Sequence, residues 1–169
     1  GIIPNEENPM QKNPDRGFIS SANQKSTDDT YPYYLGAATD FPLYRGIIIN
    51  KRLSAMSNIT PEDMQRLQTD NYNVFAEMAR PALLKYLDEA ALDADGKKYV
   101  SILKNWNLRN DIGEKGATVF RAIWDSLETT IWKDEFEKSK RSLPWPDEPV
   151  LLEVMLRDSV YYFADNANT

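Results

Sequence analysis

Histidine and cysteine are both absent from the 169-residue chain, and this limits the chemistry that its side chains can perform. Without them there is no imidazole base, no thiolate nucleophile, no disulfide and no His or Cys ligand for a metal. A serine or threonine nucleophile would need a lysine, a carboxylate or a free α-amine as its base, and Gly1 cannot act as an N-terminal nucleophile. We therefore do not expect a self-contained covalent hydrolase.

Two acidic clusters are the next candidates: Asp93 with Asp95, and Asp134 with Glu135 and Glu137. Either could form an acid–base pair or a site for a hard cation. Neither has the spacing or the closing bidentate glutamate of a calcium-binding loop, and acids are common on exposed helix faces and turns. We interpret both clusters as solvated surface.

Aromatic residues could form a ligand site in two places. The four tryptophans could make a stacking platform, but packing in the core is the better interpretation for Trp106, Trp124, Trp132 and Trp145. The run Tyr31-Pro32-Tyr33-Tyr34 could wall a hydrophobic pocket, or it could dock an arm onto the helices. Both interpretations of this run stay open.

Charge and hydropathy exclude two classes of partner. The chain has 26 acidic and 20 basic residues, a net charge of −6, so it lacks the clustered positive charge that nucleic acid requires. Its longest apolar runs, such as Gly46–Ile49, are far shorter than the roughly 20 residues that span a bilayer. No signal-peptide pattern opens the sequence. We expect one compact unit with no nucleic acid partner and no membrane span.

Composition changes near residue 40. Residues 1–40 are rich in Pro, Asn, Asp and Ser, which predicts an extended arm with a turn at Asn13–Gly17 and one short strand at Phe18–Ser21. Residues 41–169 have helical periodicity. The predicted fold class is therefore mainly α: an irregular helical domain with an extended, partly β N-terminal arm.

The start of the helical domain allows two interpretations. Asp40 can cap a helix in which Pro42 occupies the first turn, but the β-branched run Ile47–Ile49 leaves a buried strand as an alternative. Thr60 followed by Pro61 and two acids gives the clearest helix start in the chain.

The remaining helices follow from apolar spacing. The pattern that begins at Thr60 continues until Arg80-Pro81 forces a kink or a new helix. Asp93–Gly96 is predicted to be a turn, followed by a helix through Trp106 and a longer helix from about Glu114 to Lys138. These two helices should pack through their tryptophan faces. A last helix begins at Pro149, with its inner side formed by Leu151, Val154, Met155 and Tyr162.

Six short motifs follow one another along the first part of the chain: Asn13–Ile19, Ser21–Gln24, Tyr31-Pro32, Tyr44-Arg45, Thr60–Met64 and Leu67–Asp70. In this order they resemble the penicillin acylase (penicillin amidase) family of N-terminal nucleophile hydrolases. The resemblance spans about Gly1 to Pro81, with weaker support through Trp106-Asn107 and the helix that follows.

The resemblance implies that this chain is an internal segment of a larger hydrolase chain whose nucleophilic N-terminal serine lies upstream. It also implies a role for Asn23, whose side-chain amide would donate to the oxyanion of the tetrahedral intermediate. The alternative is an Asx-turn residue at a strand end. Arg45 matches the family arginine that lies beside the nucleophile and organises the site, and its alternative is an ordinary ion-paired helical arginine.

Other expectations follow from the same resemblance. The partners would be the remaining chains of the parent amidohydrolase and a small-molecule acyl amide, and the location would be periplasmic or secreted. No cofactor is assigned, because Leu35 stands where family members carry an acidic ligand of a structural calcium. The isolated segment would be inactive. A stand-alone helical module that binds a protein partner through its tyrosines and tryptophans is the alternative function.

Overall fold

The computed structural model describes residues 2–28, 30–35, 42–137 and 141–157. The chain divides into two compact units, Gly1–Asp70 and Asn71–Thr169. The described residues are mainly helical, as the sequence predicts, and they include two short 3-10 turns at Asn5–Glu7 and Glu89–Ala91. None of the described helices is long and apolar enough to cross a bilayer.

Unit 1, residues 1–70, opens with a segment held by turns and side chains. The turn at Asn13–Gly17 forms, with the Gly17 amide donating to the Pro14 carbonyl at 2.8 Å and both Asn13 and Gly17 at positive φ. The prediction of a strand at Phe18–Ser21 was wrong, because these residues have no regular secondary structure. A strand needs a neighbour to satisfy its backbone groups, and the described part of unit 1 has no second strand.

Helix α1 spans Tyr44–Ser54, so Ile47–Ile49 is helical and the strand alternative is excluded. Leu43 occupies the N-cap position without a side-chain bond, while Asp40, the predicted cap, lies outside the described residues. The helix buries Gly46 and Leu53, and these two residues mark its inner side.

Helix α2 spans Pro61–Gln68 and begins as predicted at Thr60. The Thr60 hydroxyl accepts from the Asp63 amide, and the Asp63 carboxylate accepts from the Thr60 amide, which is a complete capping box. Beyond its C-terminus, Asp70 forms an ion pair of 2.8 Å with Arg52 of α1. The Asp70 side chain is only 12% exposed, so this pair ties the end of unit 1 to α1.

Unit 2, residues 71–169, begins with helix α3, Val74–Lys85, which is capped by the Asn73 side chain. The sequence favours a kink or a new helix at Arg80-Pro81, whereas α3 continues through Pro81. Its buried face, which includes Phe75, Ala79 and other apolar residues, supplies packing that offsets the hydrogen bond lost at the proline. The break lies instead at residues 69–73, between α2 and α3.

Helix α4 spans Ala94–Asn105, and the Asp93–Gly96 stretch predicted as a turn is the start of this helix. Asp93 is its N-cap and accepts from the Gly96 amide at 2.7 Å. Two carbonyls at the C-terminal end of α4 are also satisfied, because Arg80 donates to the carbonyls of Leu103 and Trp106 at 3.2 and 2.7 Å.

Helices α5, Lys115–Glu137, and α6, Glu148–Leu156, complete unit 2. Helices α4 and α5 pack together as predicted, and the Trp106 and Phe120 rings lie 6.0 Å apart. Phe75 of α3 joins them with its ring 4.6 Å from Trp124, which is fully buried.

Three of the four tryptophans, Trp106, Trp124 and Trp132, are core residues, as predicted. The prediction was wrong for Trp145, which is 41% exposed. Leu151 of α6 is buried, and Tyr162 lies outside the described residues.

We predict that Gly116→Ala destabilises unit 2. Alanine normally stabilises a helix interior relative to glycine, but a methyl group here would lie 2.0 Å from Trp106 Cγ, and Trp106 is buried and cannot move aside. The expected loss in free energy of unfolding is about 1–3 kcal/mol. Urea denaturation followed by tryptophan fluorescence measures unit 2, which holds all four tryptophans. Ser126→Ala on the exposed face of α5 is the control, and equal stability of both variants would contradict the prediction.

We also predict that Asp63 titrates below its ordinary carboxyl pKa of 3.8. The Thr60 amide stabilises its charged form most, followed by the Thr60 hydroxyl and Arg66, and together they lower the pKa. Its stabilising effect on α2 is therefore present above pH 3.8 and is lost as the pH falls through the lowered pKa. An NMR titration of the Asp63 carboxyl carbon checks this. In Thr60→Val the titration midpoint of Asp63 should rise only part of the way towards 3.8, because the backbone amide donor of residue 60 remains. A midpoint at or above 3.8 in the unmodified chain would refute the prediction.

Candidate functional site in unit 1

Asn23 lies in a tight turn that its neighbours hold closed. Its φ is +61°, in the left-handed region that asparagine tolerates better than most residues. Ala22 before it is buried, and Gln24 after it folds back over the turn. The Gln24 side chain accepts from the Ala22 amide at 2.6 Å and donates to the Ser20 carbonyl at 3.0 Å. The backbone around Asn23 is thereby fixed, while the Asn23 side chain remains exposed.

The first turn of α1 packs directly against this loop. Gly46 is buried, and a methyl group at Gly46 would lie 3.3 Å from Gln24 Oε1 and 3.6 Å from Gln24 Cβ. The absence of a side chain at Gly46 therefore lets α1 approach the loop closely. Arg45, the preceding residue of α1, donates through Nη2 to Asn23 Oδ1. The two residues singled out in the sequence, Asn23 and Arg45, are in direct contact.

This contact determines which end of the Asn23 amide is available. A guanidinium group has only donors, so the atom of Asn23 that faces Arg45 must be the carbonyl oxygen. The amide nitrogen then points away from Arg45 with two N–H groups, and among the described residues no acceptor is bonded to it. An exposed donor whose orientation is fixed by a cation can bind a negatively charged oxygen.

The local chemistry is that of charge stabilisation. The pair offers the Asn23 amide donors and the positive charge of Arg45, and neither group can act as a nucleophile or general base at neutral pH. Any covalent chemistry at this site requires a reacting group from elsewhere. Arg16, Ser20 and Asn50 form a second set of contacts between the loop and α1 that sequence reasoning missed.

Tyr31 and Tyr33 have a structural role in unit 1. The Tyr31 hydroxyl donates to the Glu7 carbonyl at 2.8 Å, and the Tyr33 hydroxyl donates to the Glu7 carboxylate. The hydrogen bond to Glu7 raises the pKa of Tyr33. The two rings meet edge to face, 5.7 Å apart. These contacts dock residues 31–33 onto the 3-10 turn at Asn5–Glu7.

The position at which the resemblance implies an acidic calcium ligand holds Leu35, which is 44% exposed and carries no oxygen in its side chain, so this residue does not fit a calcium ion. Within the described ranges, no three acidic side chains converge on a point where a metal could bind, and this includes Asp93, Asp95 and Asp134 with its neighbours.

Unit 2 contains an apolar cavity of about 400 Å³. Leu84, Val100, Leu103, Ile123 and Leu127 contribute to its lining, and no charged side chain does. The lining also includes the phenol side chains of Tyr86 and Tyr99, so it can hold apolar groups but offers no carboxylate, ammonium or guanidinium group.

A sequence model of the penicillin amidase family matches residues 1–169. Penicillin acylase 2 proenzyme of Pseudomonas sp. (strain SE83) is 29% identical over 132 residues, which cover 78% of this chain. The same stretch covers 16% of the relative, so the chain spans only a small part of that protein's length. No solved structure matches the chain significantly. Because the family model extends over the whole sequence, this chain belongs to the penicillin amidase family.

Proposed function

We propose that this chain is part of an amidohydrolase that cleaves acyl amide bonds, and that Asn23 is its oxyanion-hole donor. Family membership supports the reaction class, and the relative that is named as a proenzyme supports maturation by chain cleavage. The observation that carries the residue assignment is the Arg45 contact, which leaves the N–H groups of the exposed Asn23 side chain directed away from Arg45.

The proposed reaction step is attack on the amide carbonyl by a nucleophile outside this chain. As the tetrahedral intermediate forms, the carbonyl oxygen gains negative charge, and Asn23 Nδ2 donates a hydrogen bond to it. The donor is already oriented before the substrate arrives, so little reorganisation is needed as the charge develops. The oxygen is neutral in the bound substrate, so this bond strengthens mainly in the transition state.

Arg45 contributes in two ways. Its bond to Oδ1 prevents the Asn23 amide from rotating by 180°, which would present an acceptor to the oxyanion. The same bond draws electron density from the amide and makes its N–H groups stronger donors, as in other hydrogen-bonded chains. Arg45 is therefore the residue that orients and polarises the donor.

In the full-length protein, Asn23→Ala should lower kcat for the best chromogenic acyl amide by about 100- to 1000-fold with little change in KM. Asn58→Ala is the matched control, because Asn58 also has positive φ (+52°) and lies in the exposed loop before α2. It has the same backbone strain but no proposed contact with substrate. Asn23→Gly relieves the strain and should be as slow as Asn23→Ala. Full activity of either Asn23 variant would exclude the proposed role.

Arg45→Met should lower kcat by roughly 10-fold in the same assay, because one charge-assisted bond at an exposed site is lost. Arg45→Lys keeps a cationic donor and should retain more activity than Arg45→Met. Equal activity of the Met variant and the unmodified enzyme would show that Arg45 does not orient Asn23. Thermal unfolding of each variant checks that the differences do not arise from loss of structure.

A further inference from the structure

Asn50 uses both ends of its side-chain amide. It lies on α1 one turn after Gly46, and its Nδ2 donates to the Gly46 carbonyl at 2.7 Å. Its Oδ1 accepts from Arg16 Nη1 at 3.0 Å and from the Ser20 hydroxyl at 3.0 Å. An amide oxygen has two lone pairs, and here both are occupied by donors that lie 30 and 34 residues earlier in the chain.

Arg16 extends these contacts into the turn before Asn23. Its Nε donates to the Phe18 carbonyl at 2.9 Å, and its Nη2 donates to Gln11 Oε1 at 3.1 Å. The guanidinium carbon also lies 4.7 Å from the centre of the Phe18 ring. Three different acceptors therefore hold one planar group, so Arg16 binds Asn50 from a fixed position.

Ser20 connects Asn50 to the Asn23 turn. Its hydroxyl donates to Asn50, and its carbonyl accepts from Gln24, whose side chain also accepts from the Ala22 amide. A continuous chain of hydrogen bonds thus extends from α1 through Ser20 and Gln24 to the residue before Asn23. The positive φ of Asn23 is a strained conformation for a residue with a side chain, and it persists only where surrounding contacts impose it.

We propose that Asn50 is a positioning residue that holds the 16–24 segment on α1 and so keeps the Asn23 amide in register with Arg45. This inference rests on the proposed function of Asn23. Arg16 is exposed, and Ser20 and Asn50 are half-buried, so water replaces their hydrogen bonds readily when one partner is removed. The loss should therefore affect the placement of Asn23 more than the stability of the fold.

The test compares Asn50→Ala and Asn50→Asp in the full-length protein. Asn50→Ala should lower kcat by roughly 10- to 100-fold, the range expected when a catalytic group is displaced by about 1 Å, with KM within about 3-fold. Asn50→Asp keeps the oxygen that accepts from Arg16 and Ser20 and should restore most of kcat. If Asn50 only supports the helix through its bond to Gly46, the Asp variant should show no rescue, and that result would overturn the proposal.

Asn105 provides a matched control. Its Nδ2 donates to the Ser101 carbonyl at 2.8 Å, which is the same one-turn contact that Asn50 makes to Gly46. Asn105 lies at the end of α4 in unit 2 and connects no distant segment through its side-chain oxygen within the described part of the chain. Asn105→Ala should therefore leave kcat unchanged. An equal loss of kcat in Asn105→Ala and Asn50→Ala would overturn the proposal.

A double-mutant cycle separates failure of this inference from failure of the proposed function. If Asn50 acts through Asn23, adding Asn50→Ala to Asn23→Ala should cost less than 3-fold in kcat. If Asn23→Ala lowers kcat but Asn50→Ala does not, or if the two losses in kcat multiply in the double variant, Asn50 has no positioning role. Either result leaves the proposed function of Asn23 intact. If Asn23→Ala is fully active, both the positioning role and the proposed function are wrong.

Ser20→Ala tests the same connection if Asn50→Ala fails to fold. It removes only a hydroxyl and should lower kcat by roughly 3- to 10-fold.

Discussion

A guanidinium group can donate hydrogen bonds and cannot accept them, and this constraint determines how the candidate site works. Because Arg45 faces Asn23, the Asn23 carbonyl oxygen must face Arg45 and the amide nitrogen must face outward. A neutral acceptor in place of Arg45 would allow the opposite orientation, which would expose the carbonyl oxygen of Asn23 in place of its two N–H donors. The proposed donor role of Asn23 therefore depends on the pair of residues rather than on the asparagine alone.

The fold of unit 1 serves this pair by bringing an irregular loop onto a helix. Irregular backbone usually places side chains less accurately than helices and strands do. Here α1 compensates with three successive contacts: Arg45 to the Asn23 side chain, Gly46 to Gln24, and Asn50 to Ser20 and Arg16. Unit 2 is built differently, around an aromatic core in which Phe75, Phe120 and Trp124 interlock, with Trp106 packed against Gly116. Each unit thus has its own source of rigidity.

Local signals in the sequence predicted local structure well. The helix start at Thr60, the long helix near residues 115–137 and the burial of three tryptophans all follow from residue types a few positions apart. Among the local predictions that failed, two did so because the residue types suit more than one structure. Phe18–Ser21 has strand propensity but no partner strand in the described structure, and Asp93–Gly96 has turn composition that also suits a helix N-cap.

The site itself was only partly accessible from sequence. Resemblance singled out Asn23 and Arg45 as candidates, but their contact joins residues 22 positions apart, and no periodicity predicts it. Asn50 gave no signal at all, because its distinguishing contacts are to residues 30 and 34 positions away. Such polar contacts depend on how a loop closes onto a helix, which the hydrophobic pattern does not specify.

The most direct measurement is a crystal structure of the full-length protein with a covalent mimic of the tetrahedral intermediate, such as a boronic or phosphonic acid, on its nucleophile. We expect Asn23 Nδ2 to lie about 2.7–3.1 Å from the oxygen that mimics the oxyanion, with Oδ1 still bonded to Arg45. An oxyanion mimic bound by other donors, with Asn23 out of hydrogen-bonding range, would contradict the account.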